Sequence, residues 1–312
     1  MPTEAAQEQR VTLNDFELLG KVYGPPWQYL SKMYGPPWHN FSEDDPWDNL
    51  MLFLTYAHER QGASAVFAQA AIDVIGELKE QDCEINDPDL PRKAWGRYTR
   101  KLLEKNLNVG NNPMAPKGTQ YQSGNKTVHN LSAIEVIGPL RLGLLAVMKD
   151  LIGNNDVKQA YSIITQVSGV GDKIASFFLR DVALHFNLNP TKDRHLLQPV
   201  DIWVRRATEL CFETQGKQYT VQEVKQIIVE ASAAQQVNPE RVNAGMWYFG
   251  ARAARSEYRL HEAMDNRQIF FSRVDSYIAS LRSALDAYDR FSTEFTHHRE
   301  SFRGLSWGAP SP

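Results

Sequence analysis

Apolar residues recur at helical spacing along almost the whole chain, and no stretch alternates with period two for long enough to demand a sheet. From Asp48 to Lys79 the series runs Leu50, Phe53, Leu54, Ala57 and then Val66, Phe67, Ala70, Ile72, Val74, Ile75, with Gly62 as the expected break between two helices. The segment Pro91 to Asn106 reads as a basic amphipathic helix. Ser132 with Glu135 and Thr220 with Glu223 form capping boxes, the first opening a helix expected to run to about Leu151. Asn238-Pro239 places Pro at a first helical turn. Segments 156 to 167, 172 to 187, 201 to 213, 239 to 257 and 266 to 295 also read as helix. The fold class expected is therefore all-α, and 312 residues of which 42% are hydrophobic suffice for a large core in one or two domains.

Two regions depart from this pattern. Residues 1 to 48 are rich in Pro and Trp and repeat Tyr23-Gly24-Pro25-Pro26-Trp27 as Tyr34-Gly35-Pro36-Pro37-Trp38, so they read as an N-terminal extension wrapped on the body. Residues 107 to 130 read as a polar loop, long enough to suggest a binding segment. The net charge of -3 is unevenly spread: residues 1 to 90 carry 16 acidic and 5 basic side chains (-11), residues 91 to 129 carry 1 acidic and 8 basic (+7). One face can therefore meet a polyanion, although a solvated helix face would give the same count. No apolar run approaches the roughly 20 residues of a membrane span. Cys83 and Cys211 are too far apart in sequence to suggest a paired-Cys metal site or a disulfide framework. The expectation is a soluble cytoplasmic chain, monomeric, without membrane, metal or cofactor.

Chemistry concentrates in Ile163 to Leu179, where Gly169-Val170-Gly171 separates two helical segments and small Ala175 follows on the inner face. Glycines permit the tight reversal and leave backbone N–H groups bare, and the following helix adds the positive end of its dipole, so such a hairpin suits a DNA phosphate. Gly169, Val170, Gly171 and Asp172 are the contacts expected. Lys173 falls in the first turn, where the dipole opposes a cation and favours an amine's free lone pair, as a nucleophile needs. Asp201, 28 residues on, follows an extended Pro199-Val200 pair, caps a helix carrying Arg205 and Arg206, and can take a proton from Lys173 or face positive charge on a sugar. Taken singly, a phosphate-binding lysine and an ordinary N-cap aspartate are equally good readings.

Gly169-Val170-Gly171-Asp172-Lys173-Ile174-Ala175 followed by Pro199-Val200-Asp201 resembles the signature of the HhH-GPD superfamily of DNA glycosylases. The Lys-to-Asp spacing, the lack of a cysteine cluster and the late helix Asn243-Ala244-Gly245-Met246-Trp247-Tyr248-Phe249-Gly250 are most similar to its archaeal-type 8-oxoguanine branch. The resemblance is carried by residues 160 to 206, with weaker likeness over 50 to 70 and 239 to 255. It implies a two-lobed helical fold with a DNA cleft: 49 to 130 with 207 to 295 as one lobe, 131 to 206 as the hairpin lobe, and 296 to 312 as a tail. It also implies base flipping, attack on C1′ by Lys173 assisted by Asp201, a Schiff base, and strand nicking by β-elimination in members with this lysine. Arg205 and Arg206 would contact DNA, with Tyr56, Ala57, His58, Phe177, Arg180, Asn243 and Trp247 around the base.

In that branch a Tyr-Gln-Leu segment reads the purine edge and an Asp precedes the pocket Trp by four; here Tyr56-Ala57-His58 and Asn243 stand there. An alanine leaves a guanine edge unread and enlarges the pocket. The substrate expected is thus either an oxidised purine or a bulkier base, such as glucosylated hydroxymethylcytosine of phage DNA. The competing reading is a non-catalytic protein that clamps double-stranded DNA by the same hairpin. A metal-dependent nuclease fits poorly, because adjacent His297 and His298 have no acidic cluster beside them.

Overall fold

The computed structural model describes residues 10–22, 41–60, 65–107, 114, 119–123, 126–130, 133–140, 142–212 and 218–303. Among these the architecture is helical, with thirteen α-helices and one two-stranded hairpin. The helices are α1 (Leu13–Val22), α2 (Pro46–Arg60), α3 (Ala65–Glu80), α4 (Leu90–Glu104), α5 (Ala133–Ile137), α6 (Leu144–Gly153), α7 (Val157–Ile164) and α8 (Asp172–His185), then α9 (Ile202–Cys211), α10 (Val221–Ala234), α11 (Pro239–Tyr248), α12 (Glu257–Asp265) and α13 (Arg267–Arg303). A 3₁₀ turn, Arg194–Leu197, precedes α9, and a π-helical turn, Phe249–Ala254, follows α11. The contacts divide the chain into a unit of Leu13–Trp247 and a unit of Met1–Thr12 with Tyr248–Pro312.

Several elements differ from the sequence expectation for identifiable reasons. Residues 107 to 130 are not all loop: β1 (Thr119–Ser123) pairs antiparallel with β2 (Lys126–Asn130), Tyr121 opposite Val128. Each strand satisfies the other's backbone, so the pairing needs no alternating apolar face. The helix expected from Ser132 to Leu151 is two, α5 and α6. Pro139 cannot donate a backbone hydrogen bond and disfavours helical geometry at Gly138; Ser132 itself lies outside the described residues. The N-terminal segment contains a helix, α1, whose Leu13, Phe16 and Leu19 are buried. The duplicated Tyr-Gly-Pro-Pro-Trp motif and Gly62 fall outside the described residues. The other capping expectation is met: Thr220 accepts from the Glu223 amide while the Glu223 side chain accepts from the Thr220 amide. The last helix runs on to Arg303.

The core of the larger unit is continuous from Leu50 on α2 to Leu197 before α9, and includes Phe53, Tyr98, Ile134, Met148, Ile164, Phe178 and Val182. Asn49, fully buried, donates to the Glu43 and Asp45 carbonyls and accepts from the Leu145 amide, so α2 caps the start of α6, whose own N-cap is Gly143 with no side chain. Helices α1 and α11 cross at reciprocal glycines. A Cβ on Gly20 would lie 2.0 Å from the Arg241 carbonyl oxygen, and one on Gly245 would lie 2.0 Å from that of Phe16. Only hydrogen fits at either point, and this contact fixes α11, which bears on the site below.

In the smaller unit Phe249 stacks on Phe270 at 4.1 Å, Tyr248 meets Tyr277 edge-on, and the Val11 amide donates to the Met264 carbonyl. Ser256 caps α12 through the Arg259 amide. Among the described residues no helix is long and apolar enough to cross a membrane.

Candidate functional site

The hairpin between α7 and α8 uses its two glycines differently. Gly169 has φ +72°, the left-handed region that side chains avoid, and there the chain reverses. Gly171 has φ -95° and ψ -175°, an ordinary extended conformation, and a Cβ on it would meet nothing within 4 Å. The backbone therefore does not require glycine at 171; what its absence of side chain leaves open is the approach to the first amides of α8. Val170 between them is buried and anchors the turn, its amide donating to the Val167 carbonyl.

Asp172 is half-buried and turned inward: Oδ1 accepts from the Tyr161 hydroxyl at 3.0 Å and from Lys225 Nζ at 2.5 Å. Burial, then the Asp172 charge, pushes the Tyr161 phenol up to about 12. Lys225 is 1% exposed and also donates to Ser176 Oγ, so α10 is pinned to the start of α8. At Asp172 the backbone, rather than the carboxylate, is thus the group fit to meet a phosphate. The sequence reading missed Lys225, although it stands on the buried stripe of α10 with Val224, Ile228 and Ser232. Lys173, the next residue, is exposed.

Asp201 is built in the opposite manner. The 3₁₀ turn before it is held by Arg194, which grips Glu240 of α11 with Nε and Nη2, and Gln198 donates to the same carboxylate at 3.0 Å. Asn243, one turn further along α11, donates from Nδ2 to the Pro199 carbonyl at 3.0 Å. Asp201 then caps α9: Oδ1 accepts from the Trp203 and Val204 amides, both at 2.9 Å, and Oδ2 takes neither. Burial raises its carboxyl above the usual range, against those two amides and the charges of Arg180 and Lys173. The helix of Lys173 and the loop of Asp201 are tied through Arg180 and Asn243, which holds the Pro199 carbonyl; of the two charges that favour the ionised Asp201, that of Lys173 acts the less. Of the arginines after Asp201, Arg206 bonds Glu209 at 3.0 Å, and Arg205 is half-buried.

The residues expected around a base separate into two groups. Phe177, Arg180, Asn243 and Trp247 lie together: the guanidinium sits over the Phe177 ring at 4.9 Å, Trp247 meets Phe177 edge-on at 6.1 Å, and Arg180 Nη1 donates to Asn243 Oδ1 at 2.9 Å. Arg180 also bonds Asp181 Oδ1 through Nε and Nη2, and Tyr56 donates to Asp181 Oδ2 at 2.7 Å, which joins α2 to this network. Asn243 is fully buried, and each end of its amide makes a bond inside the protein, Oδ1 to Arg180 and Nδ2 to the Pro199 carbonyl. Ala57 and His58 are instead core residues, and the His58 ring stacks on Tyr98 of α4. Burial lowers His58 to about 4 and pushes the Tyr98 phenol up; His58 Nε2 and the Tyr98 hydroxyl find no partner among the described residues.

A cavity of about 460 Å³ lies apart from these groups, lined by residues that include Glu17, Asn187, Arg194, Asn238 and Arg241. No group of three or more His, Cys, Asp or Glu able to hold a metal ion occurs among the described residues. The cations of α4 are largely met by acids of neighbouring segments: Arg92 by Asp89, Lys93 by Asp87, and Arg97 and Lys101 by Glu77.

No known family profile matches the chain, and no solved structure matches it. An uncharacterized protein of Methanocaldococcus jannaschii is 28% identical over 131 residues, 41% of this chain and 28% of that protein's length.

Proposed function

We propose that the protein is a DNA glycosylase that excises a modified base from double-stranded DNA, with Lys173 as nucleophile and Asp201 as the activating carboxylate. The observation that supports this reading is that an exposed lysine and a part-buried, amide-anchored carboxylate stand at the N-terminal ends of two helices, with Arg180 of the lysine's helix bonded through Asn243 to Pro199 in the carboxylate's loop. Lys173 passes a proton to Asp201, its lone pair attacks C1′ of a flipped nucleotide, and the glycosidic electrons leave with the base. The amine then loses a second proton, its lone pair breaks the C1′–O4′ bond, and O4′ takes up the proton; the opened sugar carries the Schiff base, from which β-elimination nicks the strand. The backbone amides at Gly171 and the first turn of α8 hold a phosphate and read no base. The substrate is either an oxidised purine or a bulky base such as glucosylated hydroxymethylcytosine.

The test is a panel of duplexes with one candidate base each (8-oxoguanine, uracil, an alkylated purine, 5-hydroxymethylcytosine, its glucosylated form), incubated with the protein and borohydride. A covalent adduct on one duplex, absent with Lys173→Gln, identifies mechanism and substrate class together. Base release without an adduct points to a monofunctional enzyme with Asp201 directing water. Binding of every duplex with no base released favours the alternative, a non-catalytic phosphate clamp, which the exposure of Lys173 and Gly171 also suits.

A further inference from the structure

We propose that Asn243 is a positioning residue, which fixes the loop carrying Asp201 relative to Arg180 and Lys173, and not a reader of the flipped base. The inference rests on the glycosylase reading for its kinetic consequences, but its structural part stands separately. Asn243 Nδ2 holds the Pro199 carbonyl, two residues before Asp201, and Oδ1 holds Arg180 Nη1. Arg180 spends Nε and Nη2 on Asp181. One buried amide thus joins the loop of the carboxylate to the helix that carries the nucleophile. Glu240, one turn earlier on α11, secures the same loop through Arg194 and Gln198. Helix α11 is itself held at the glycine crossing with α1, where the backbones are too close for any side chain.

The charged groups acting on Asp201 come from α8: Arg180 and Lys173, each favouring its ionised form. The carboxylate of Asp181 is turned to Arg180 and Tyr56, and that of Glu240 to Arg194 and Gln198. A carboxylate at 243 would add a like charge on this side and take away the bond to Pro199, while keeping an acceptor for Arg180.

Asn243→Asp therefore makes the decisive variant, with Asn243→Leu removing both bonds and adding no charge. Two measurements apply to the full-length protein: carbon-13 titration of the Asp201 carboxyl, and single-turnover base release across pH on each duplex of the panel. We expect Asn243→Asp to move the Asp201 titration to higher pH and to shift the acid limb of the rate profile with it. Release should slow on the order of 10- to 100-fold, the loss typical of a displaced catalytic group, by the same factor on every base processed, with DNA affinity within about twofold. If the wild type releases no base but the Asp201 titration still moves, the glycosylase reading fails and the positioning role stands. A change in the ratio of rates between bases with the Asp201 titration unmoved overturns the proposal and returns Asn243 to base reading. An unmoved titration with unchanged rates overturns it as well.

Discussion

Lys173 and Asp201 sit at the first turns of two helices and are held by opposite means. The lysine stands exposed on a turn of glycines, its neighbour Asp172 fastened beneath it by Tyr161 and the buried Lys225. The carboxylate is partly withdrawn from water, takes two amides on one oxygen, and sits in a loop tied to α11 at Glu240 and Asn243. Under the proposed function the difference amounts to a division of labour. A nucleophile must reach its target, whereas a carboxylate that moves a proton must keep its distance and its ionisation fixed, which costs burial and several hydrogen bonds.

The comparison breaks most sharply at Asp201. Asp201→Asn keeps an acceptor for the Trp203 and Val204 amides but has no charge. It is expected to lower base release on the order of 10³-fold, within the range for removing a general acid or base. Stability should move the other way. The folded-state carboxyl is raised, so the wild type is most stable where it is protonated and loses stability as pH rises through the folded value. The variant should melt above the wild type at neutral pH, the gap closing below about pH 4, where an ordinary carboxyl is itself protonated; an unchanged melting difference across pH would refute the burial cost.

His58 provides the next effect, on stability alone. Its folded value, about 4, lies below the ordinary 6.5, so the unfolded chain takes up the proton first. Stability is whole above pH 6.5 and drains as pH falls toward 4, by about 3 kcal/mol for a shift of this size. Urea midpoints measured against pH should show this slope in the wild type and a flatter one in His58→Phe.

The glycines give the smallest and most diagnostic pair. Gly169→Ala forces a side chain into the left-handed region and should lower stability by about 1–2 kcal/mol. Gly171→Ala meets open space, so its melting should be unchanged while DNA affinity falls by roughly fivefold, the worth of about one hydrogen bond. Equal effects on stability would erase the distinction drawn between them.

How far this was legible in the sequence depends on the range of each interaction. The hairpin, the Thr220–Glu223 box and the Asp201 cap are made within a few residues, and their residue types announce them. Helix α1 was hidden because the Pro and Trp repeat beside it dominates the segment, while what secures it is a glycine crossing with a helix more than 200 residues away. The bond of Lys225 to Asp172 spans 53 positions, and nothing local to either residue names the other. The spacing of Asn243 from Trp247 marks it only through the family resemblance; that its amide closes on Pro199 and Arg180 depends on three segments meeting.

The paired cations of α4 carry a consequence for ionic strength. Of the six cations from Arg92 to Lys105, four already face carboxylates of the same chain. Such a surface has little to gain by replacing the condensed ions around a duplex, since affinity falls with salt in proportion to the phosphates neutralised. If the protein binds DNA as proposed, it would do so with little help from this helix, and its affinity is expected to weaken only gently as salt rises.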